Sequence, residues 1–482
     1  MNLGLTCYLI GVFNLFLALS MVAPLAVSVI YKDGTSNHFL VAIGLTVLVS
    51  LIVIRICRNS AKDEVRHREG MAVVAIGWFS AGVFGALPFF LAGTFPGYLD
   101  CLFEALSGFT TTGASVLTEI ESLPPAILFW RSLTHWLGGM GIIVLTIAIL
   151  PFLGVGGMQL FKAEVPGPVA DKLQPRITET AKILWKVYLV FTGAEILLLH
   201  LGGMPLFDSM CHTFGTLATG GFSTKNASIG HYNSLYFDVV ITVFMLMSGI
   251  NFALHYQALS GNIKTFYKNS ELRFFLGVFA AGTVLVTWSI WSEDLYNLGQ
   301  SLRYGSFQVA SILTTTGYAT ADFEVWPSLA KIVLILCIFI GGSAGSTGGS
   351  IKCMRVILLI KHSYRELRRL IHPRAVIPVK LQGRTVPDDV LSSVWGFFIL
   401  FMALFVAASV ILAAMGLDLV TSFTAVAATI GNIGPGLGAV GPADNYAAMP
   451  QAAKAILILC MVLGRLEVYT VFILFVPEFW KK

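Results

Sequence analysis

The chain is poor in charge. Only 12% of its 482 residues are Asp, Glu, Lys or Arg, against 56% hydrophobic. A soluble domain carries about 25% charged residues, so a water-facing surface cannot be built from this composition. The seven cysteines are scattered, with no CxxC and no spacing suited to metal ligation, which argues against a metal centre or a disulfide framework. No HExxH, GxSxG or Walker run is present, no paired carboxylates fall within the apolar segments, and no GxGxxG follows a soluble strand. Enzymatic chemistry and nucleotide binding therefore have no motif here. The net charge of +5 reflects where Lys and Arg sit and is no sign of nucleic acid.

What the chain has is long apolar runs. Segments of spanning length, ~20 residues, fall near 3–31, 38–57, 71–95, 126–153, 178–201, 235–259, 272–292, 327–360, 392–416 and 452–476. The first lacks a basic leader and is too long for a signal-peptide core, so it reads as a retained helix. Basic residues gather in alternate loops. Arg58, Lys62, Arg66 and Arg68 follow the second segment; Lys162, Lys172, Arg176 and Lys182 the fourth; Lys264, Lys268 and Arg273 the sixth. Lys361, Arg365, Arg368, Arg369, Arg374, Lys380 and Arg384 follow the eighth, and Lys481 and Lys482 end the chain. The positive-inside rule puts these loops and both termini in the cytoplasm.

Four outer loops each hold a short semi-apolar stretch and then a Gly- or Thr/Gly-rich one. Written without gaps, Phe103–Gly113, Met210–Gly220, Phe307–Gly317 and Thr424–Gly434 align. They recur at roughly hundred-residue intervals, each interval holding one span in and one span out. Too short to cross, they read as re-entrant half-helices. Four such loops around one axis offer a cation a ring of oxygens in place of its water. Gly at the turn lets the carbonyls converge, and the half-helix C-termini add negative dipole. The expected filter residues are Thr111, Thr112 and Gly113; Ala218, Thr219 and Gly220; Thr315, Thr316 and Gly317; and Asn432, Ile433 and Gly434. Hydroxyls of Thr110–Thr112 and Thr314–Thr316 are further candidate oxygens. No carboxylate lies at these positions, which favours a monovalent ion.

Segment eight is interrupted by Gly341, Gly342, Ser343, Gly345, Ser346, Thr347, Gly348 and Gly349. Each mid-span glycine weakens a helix by about 1 kcal/mol, so an unwound loop facing a cavity is expected, with close helix packing as the alternative. Arg465 lies mid-span, where an isolated charge is costly. It either faces the pathway or pairs with Glu467. Lys352 and Arg355 read as the cytoplasmic end of their span. Arg131 and His135 read as structural, with Glu104 a partner, and Glu195, His212 and His255 as satisfied packing residues.

The segments Ser107–Ser115, Ala218–Ser223, Thr314–Tyr318 and Gly431–Gly436 resemble the filters of the Trk/Ktr/HKT potassium transporter superfamily, and the extra N-terminal hairpin resembles the TrkH/TrkG branch. The fourth filter departs from the Thr-rich pattern at Asn432 and Ile433. The resemblance implies an all-α membrane protein whose two N-terminal helices precede four span–pore-helix–filter–span repeats. The divisions are 1–70, 71–165, 166–268, 269–385 (carrying the loop) and 386–482. It implies K+ as transported ion without an organic cofactor, a gate formed by 341–349 with Arg465, and a homodimer in the bacterial cytoplasmic membrane. It further implies a cytosolic RCK-type regulatory subunit resembling TrkA, for which the basic 361–384 loop is the candidate surface. A sodium-permeable member of the same architecture is the alternative; glycine at the first filter argues for potassium.

Overall fold

A computed structural model describes residues 1–63, 66–148 and 173–481. Among the described residues the regular structure is helical apart from one short hairpin, Lys380–Leu381 paired with Arg384–Thr385 inside the basic loop. An all-α expectation misses that hairpin because each strand has only two residues. The boundary at 165/166, the 149–153 end of the fourth expected span, and Lys162, Lys172 and Lys482 lie outside the described residues.

Among the described residues six helices are long and apolar enough to cross a bilayer: Leu3–Tyr31, Ser36–Ile56, Arg68–Leu91, Ala181–Leu201, Ser270–Ser292 and Asp388–Ala414. Two more spans arise if bent pairs are counted as one. Leu235–Ser248 meets Phe252–Leu259 at 102°, and Gln451–Arg465 meets Tyr469–Phe475 at 111°. Pro125–Ala148 runs to the edge of the described residues. The expected span 327–360 is two helices, Ser328–Ile340 and Cys353–Ile371, parted at the glycine run where an unwound loop was expected. Within the described residues each of the ten apolar segments is mainly helical, and three are sharply broken.

The outer helices bear large exposed side chains, among them Phe16, Leu48, Ile52, Trp288, Ile399 and Val410. In water such a surface would aggregate; against lipid it is matched to its solvent. The inside of the molecule is occupied by four short helices: Tyr98–Phe109, Leu206–Leu217, Leu298–Leu313 and Leu419–Ile430. At 1.5 Å per residue, their 12 to 16 residues reach about 18–24 Å, too little for a ~30 Å hydrocarbon layer. Each is followed by extended chain and then the next long helix, so they enter and return. Asn297 and Asp418 cap two of them, accepting from the backbone N–H groups of Gln300 and Thr421. Nearly all residues in the last two turns of each are buried, which brings the four C-terminal ends together in the core.

Candidate functional site

Each pore helix ends in the same way. Two residues past its end comes a left-handed residue, and two further on a left-handed glycine. The pairs are Thr111 and Gly113, Thr219 and Gly221, Thr315 and Gly317, Asn432 and Gly434. The residue between each pair reaches back with its N–H to a carbonyl five earlier: Thr112 to Ser107, Gly220 to Gly215, Thr316 to Ser311, Ile433 to Ala428, each at 2.8 Å. Alternating the sign of φ aligns successive peptide dipoles, where a strand would alternate them.

This geometry corrects the gap-free alignment. The equivalent of Gly113 in the second filter is Gly221, and Gly220 is the equivalent of Thr112. Two adjacent glycines concealed the one-residue offset. Gly221 thus takes the place in the second segment that Gly113 takes in the first, which the sequence alignment passed over and counting from the expected helix end would have found.

The four filters close on one another. A Cβ added to Gly113 would strike the carbonyl oxygen of Gly220; one on Gly221 would strike that of Thr316; one on Gly317 that of Ile433. One on Gly434 would lie 2.8 Å from the carbonyl oxygen of Thr112. The order runs one, two, three, four and back to one. Each glycine is therefore required twice, by its φ and by the neighbouring carbonyl.

Of the six candidate threonine hydroxyls, four pair with one another within their own segments. Thr110 donates to the Leu106 carbonyl at 2.6 Å and meets the Thr112 hydroxyl at 2.7 Å. Thr314 does the same with Ala310 at 2.7 Å and Thr316 at 2.8 Å. Thr112 also accepts from Asn432 Nδ2 at 2.9 Å, and Asn432 donates to the Met461 carbonyl at 2.9 Å. These hydroxyls brace the filter. Ala218 donates its N–H to Phe214 and ends the second pore helix.

Around this ring lies a polar scaffold. Arg131 Nε meets Glu104 Oε1 at 2.6 Å, both fully buried, and its guanidinium stacks 3.6 Å over Phe222. Glu104 also accepts from the Val116 N–H and the Ser115 hydroxyl. His135 bridges two filters, with Nδ1 2.9 Å from the Gly108 carbonyl and Nε2 accepting from the Phe222 N–H at 3.2 Å. Tyr318 donates to the His212 carbonyl, and Tyr446 to the Gly434 carbonyl at 2.7 Å. The structural reading of Arg131, His135 and His212 agrees with these contacts. His255 binds the Met247 carbonyl at 2.8 Å. Glu195 departs from its reading: neither carboxylate oxygen has a hydrogen-bond partner among the described residues.

The glycine run folds as a loop directly below the ring, seated on pore-helix ends. Thr347 donates to the Leu217 carbonyl at 2.9 Å, the last residue of the second pore helix. The Gly349 N–H donates to Thr315 Oγ1 at 2.7 Å. A Cβ on Gly348 would meet the Thr314 carbonyl at 3.2 Å, and one on Gly349 would overlap the Gly431 carbonyl. The bend after Ser248 grips the loop as well: Ser343 N–H reaches Gly249 O at 2.8 Å, and Phe252 N–H reaches Gly345 O at 3.1 Å. Gly341 and Gly345 both have left-handed φ, and Gly342 and Ser346 complete the buried turn.

Arg465 is buried and donates to the Thr347 carbonyl at 2.7 Å. Its pairing with Glu467 is not formed, because Glu467 is held by Arg355 at 2.5 Å. Lys352 also differs from its reading as a span end. It folds back onto the Gly348 carbonyl, so two cationic side chains sit on neighbouring carbonyls of one loop.

Comparison with known proteins adds the family. The model of the TrkH cation transport proteins matches residues 38–482. The chain belongs to this family. The Trk system potassium uptake protein TrkH of Halomonas elongata is 44% identical, over the full length of both chains. The TrkH of Salmonella typhimurium is 43% identical over 98% of each, and the TrkG of Escherichia coli 39% over 96% of each. The crystal structure of the potassium transporter TrkH from Vibrio parahaemolyticus superposes with a TM-score of 0.92 at 38% identity, covering both chains entirely. The resemblance to the Trk/Ktr/HKT superfamily and its TrkH/TrkG branch therefore holds, and with it an all-α membrane transporter.

Proposed function

We propose that the chain takes up potassium across the bacterial cytoplasmic membrane, through a pore formed by its four filters and gated by the loop beneath them. The observation that carries this is the closed ring of glycines and carbonyls at Gly113, Gly221, Gly317 and Gly434. Backbone oxygens at a fixed mutual spacing can replace the water around a monovalent cation. The family's naming for potassium uptake supports the ion.

The filter consists of Thr111–Gly113, Thr219–Gly221, Thr315–Gly317 and Asn432–Gly434, with Ala218 at the foot of the second. The loop 341–349 is the gate, and Arg465 is a fixed positive charge beside it that opposes a resting cation. Uptake follows the electrochemical gradient, which the membrane potential supplies at ~2.3 kcal/mol per charge per 100 mV. The protein acts as a homodimer with both termini cytoplasmic. A cytosolic nucleotide-binding subunit regulates it through the basic 361–384 segment, which no motif in this chain could replace.

The test is cation flux into liposomes holding the purified protein, with potassium, rubidium, sodium and lithium compared under an imposed potential. Potassium and rubidium entering well ahead of sodium is the expected result. Equal or sodium-favoured entry would move the assignment to a sodium-permeable transporter of the same architecture.

A further inference from the structure

The loop beneath the filters has one attachment unlike the others. Glu271 is in the first turn of Ser270–Ser292 and is 3% exposed. One of its oxygens, Oε1, accepts two backbone N–H groups: Ala344 at 2.8 Å and Met354 at 3.1 Å. Ala344 belongs to the descending limb of the loop. Met354 is in the first turn of Cys353–Ile371, the helix into which the loop runs. That helix has no side-chain cap of its own, and Glu271 supplies one from a different helix. A carboxylate at a helix N-terminus is favoured by the free N–H groups and the dipole there. A single atom therefore joins both ends of the loop to a third element.

Other attachments meet the loop near its apex: Thr347 on Leu217 and Ser248 and Arg465 on Thr347 come from other repeats, and Gly349 on Thr315 from the same one. Backbone bonds also hold the stem, Ser343 N–H to Gly249 O and Cys353 N–H to Gly342 O, but among the described residues Glu271 is the side chain that bonds both the loop and the helix it runs into. Glu271 follows directly on the exposed basic turn Lys264–Lys268 and its Asn269 cap, so the stem is tied to a segment that reaches the surface. Lys352, within electrostatic range of the carboxylate, has turned away onto Gly348.

We propose that Glu271 is the latch of the gate, a positioning residue whose Oε1 keeps the loop under the filters and whose helix gives the 264–270 segment a handle on it. This rests on the loop being the gate. Each such hydrogen bond is worth about a factor of five in an equilibrium, so losing two shifts the balance toward an open loop by about thirtyfold.

The experiment compares basal potassium flux in liposomes for the full chain, for Glu271→Ala, Glu271→Asp and Glu271→Gln, and for a deletion of Gly345–Gly348. Ala removes the acceptor, Asp withdraws it while keeping the charge, and Gln keeps an acceptor oxygen at the same reach. The latch requires raised flux in Ala and Asp, near-normal flux in Gln, and an unchanged potassium-to-sodium ratio in all three. If Ala yields no monodisperse protein, the Asp and Gln pair carries the same contrast. Normal flux in Asp and Ala while the deletion raises it would overturn the latch and leave the gate standing. A deletion without effect would overturn both. A ratio that collapses along with raised flux would mean a distorted filter, and would overturn the latch as well.

Discussion

At the filter, the decisive quantity is the room left for one carbon atom. Gly113 has φ +78° and a neighbouring carbonyl where its Cβ would go. A side chain there costs about 1–2 kcal/mol for the backbone alone, and the Gly220 carbonyl must also yield. Gly113→Ser should therefore move an oxygen of the ring and loosen discrimination against sodium, measured as the potassium-to-sodium flux ratio. Gly221→Ser should do the same, since Gly221 stands against Thr316 in the equivalent way. Gly220→Ala meets a different neighbour, the His135 ring, and should disturb the scaffold first. If Gly220→Ser reproduces the Gly113→Ser ratio while Gly221→Ser does not, the register of the second filter is wrong. That filters existed was legible in the sequence, because Gly and Thr recur in four places. Register was not, because adjacent Gly220 and Gly221 satisfy an alignment equally well while only one has the left-handed backbone.

Among the elements, the broken helices are what carry the loop and bends packed against the ring. The loop at 341–352 announced itself through its glycines. The bends at 249–251 and 466–468 did not, since each contains or follows a single glycine, and the breaks rest on Asn251, Glu467 and Val468. Glu467 and Val468 take left-handed φ without being glycine, a strain the surrounding packing must impose. Composition could not reveal it. The Arg355–Glu467 ion pair across that bend also left Arg465 free to find Thr347, a choice of partner that neighbours in sequence do not disclose. Deleting Gly345–Gly348 removes the Thr347 bonds to Leu217 and Ser248 and the acceptor of Arg465. Basal flux should rise several-fold or more, with selectivity retained because the glycine ring stays in place. Unaltered flux would remove the gate role from the loop.

For the whole molecule, the question is what keeps the fourth repeat against the first. Alternation of basic loops and four recurring motifs made the ring readable as a topology, but closure depends on contacts across more than three hundred positions. Asn432 reaches Thr112, and Tyr446 donates its N–H to the Ser115 carbonyl at 2.8 Å. The strongest candidate is Lys454, whose Nζ lies 2.7 Å from Asp100 Oδ1, both side chains buried. Asp100 is at the start of the first pore helix and Lys454 at the start of the last long helix. Neither residue invites the pairing in sequence, because a lysine in an apolar helix near its end is also what a lipid-interface anchor looks like. Removing one partner leaves the other charged, buried and uncompensated, at a cost of about 3–5 kcal/mol. Lys454→Met should lower the unfolding midpoint in detergent markedly. Asp100→Asn combined with Lys454→Met should lower it less than Lys454→Met alone, since Asn removes the orphaned charge and can still accept from Gln451, which is 3.1 Å from Asp100. A double variant that loses the sum of the two single losses would show the charges acting independently. Ring closure would then fall to Asn432, Tyr446 and the Gly434–Thr112 contact.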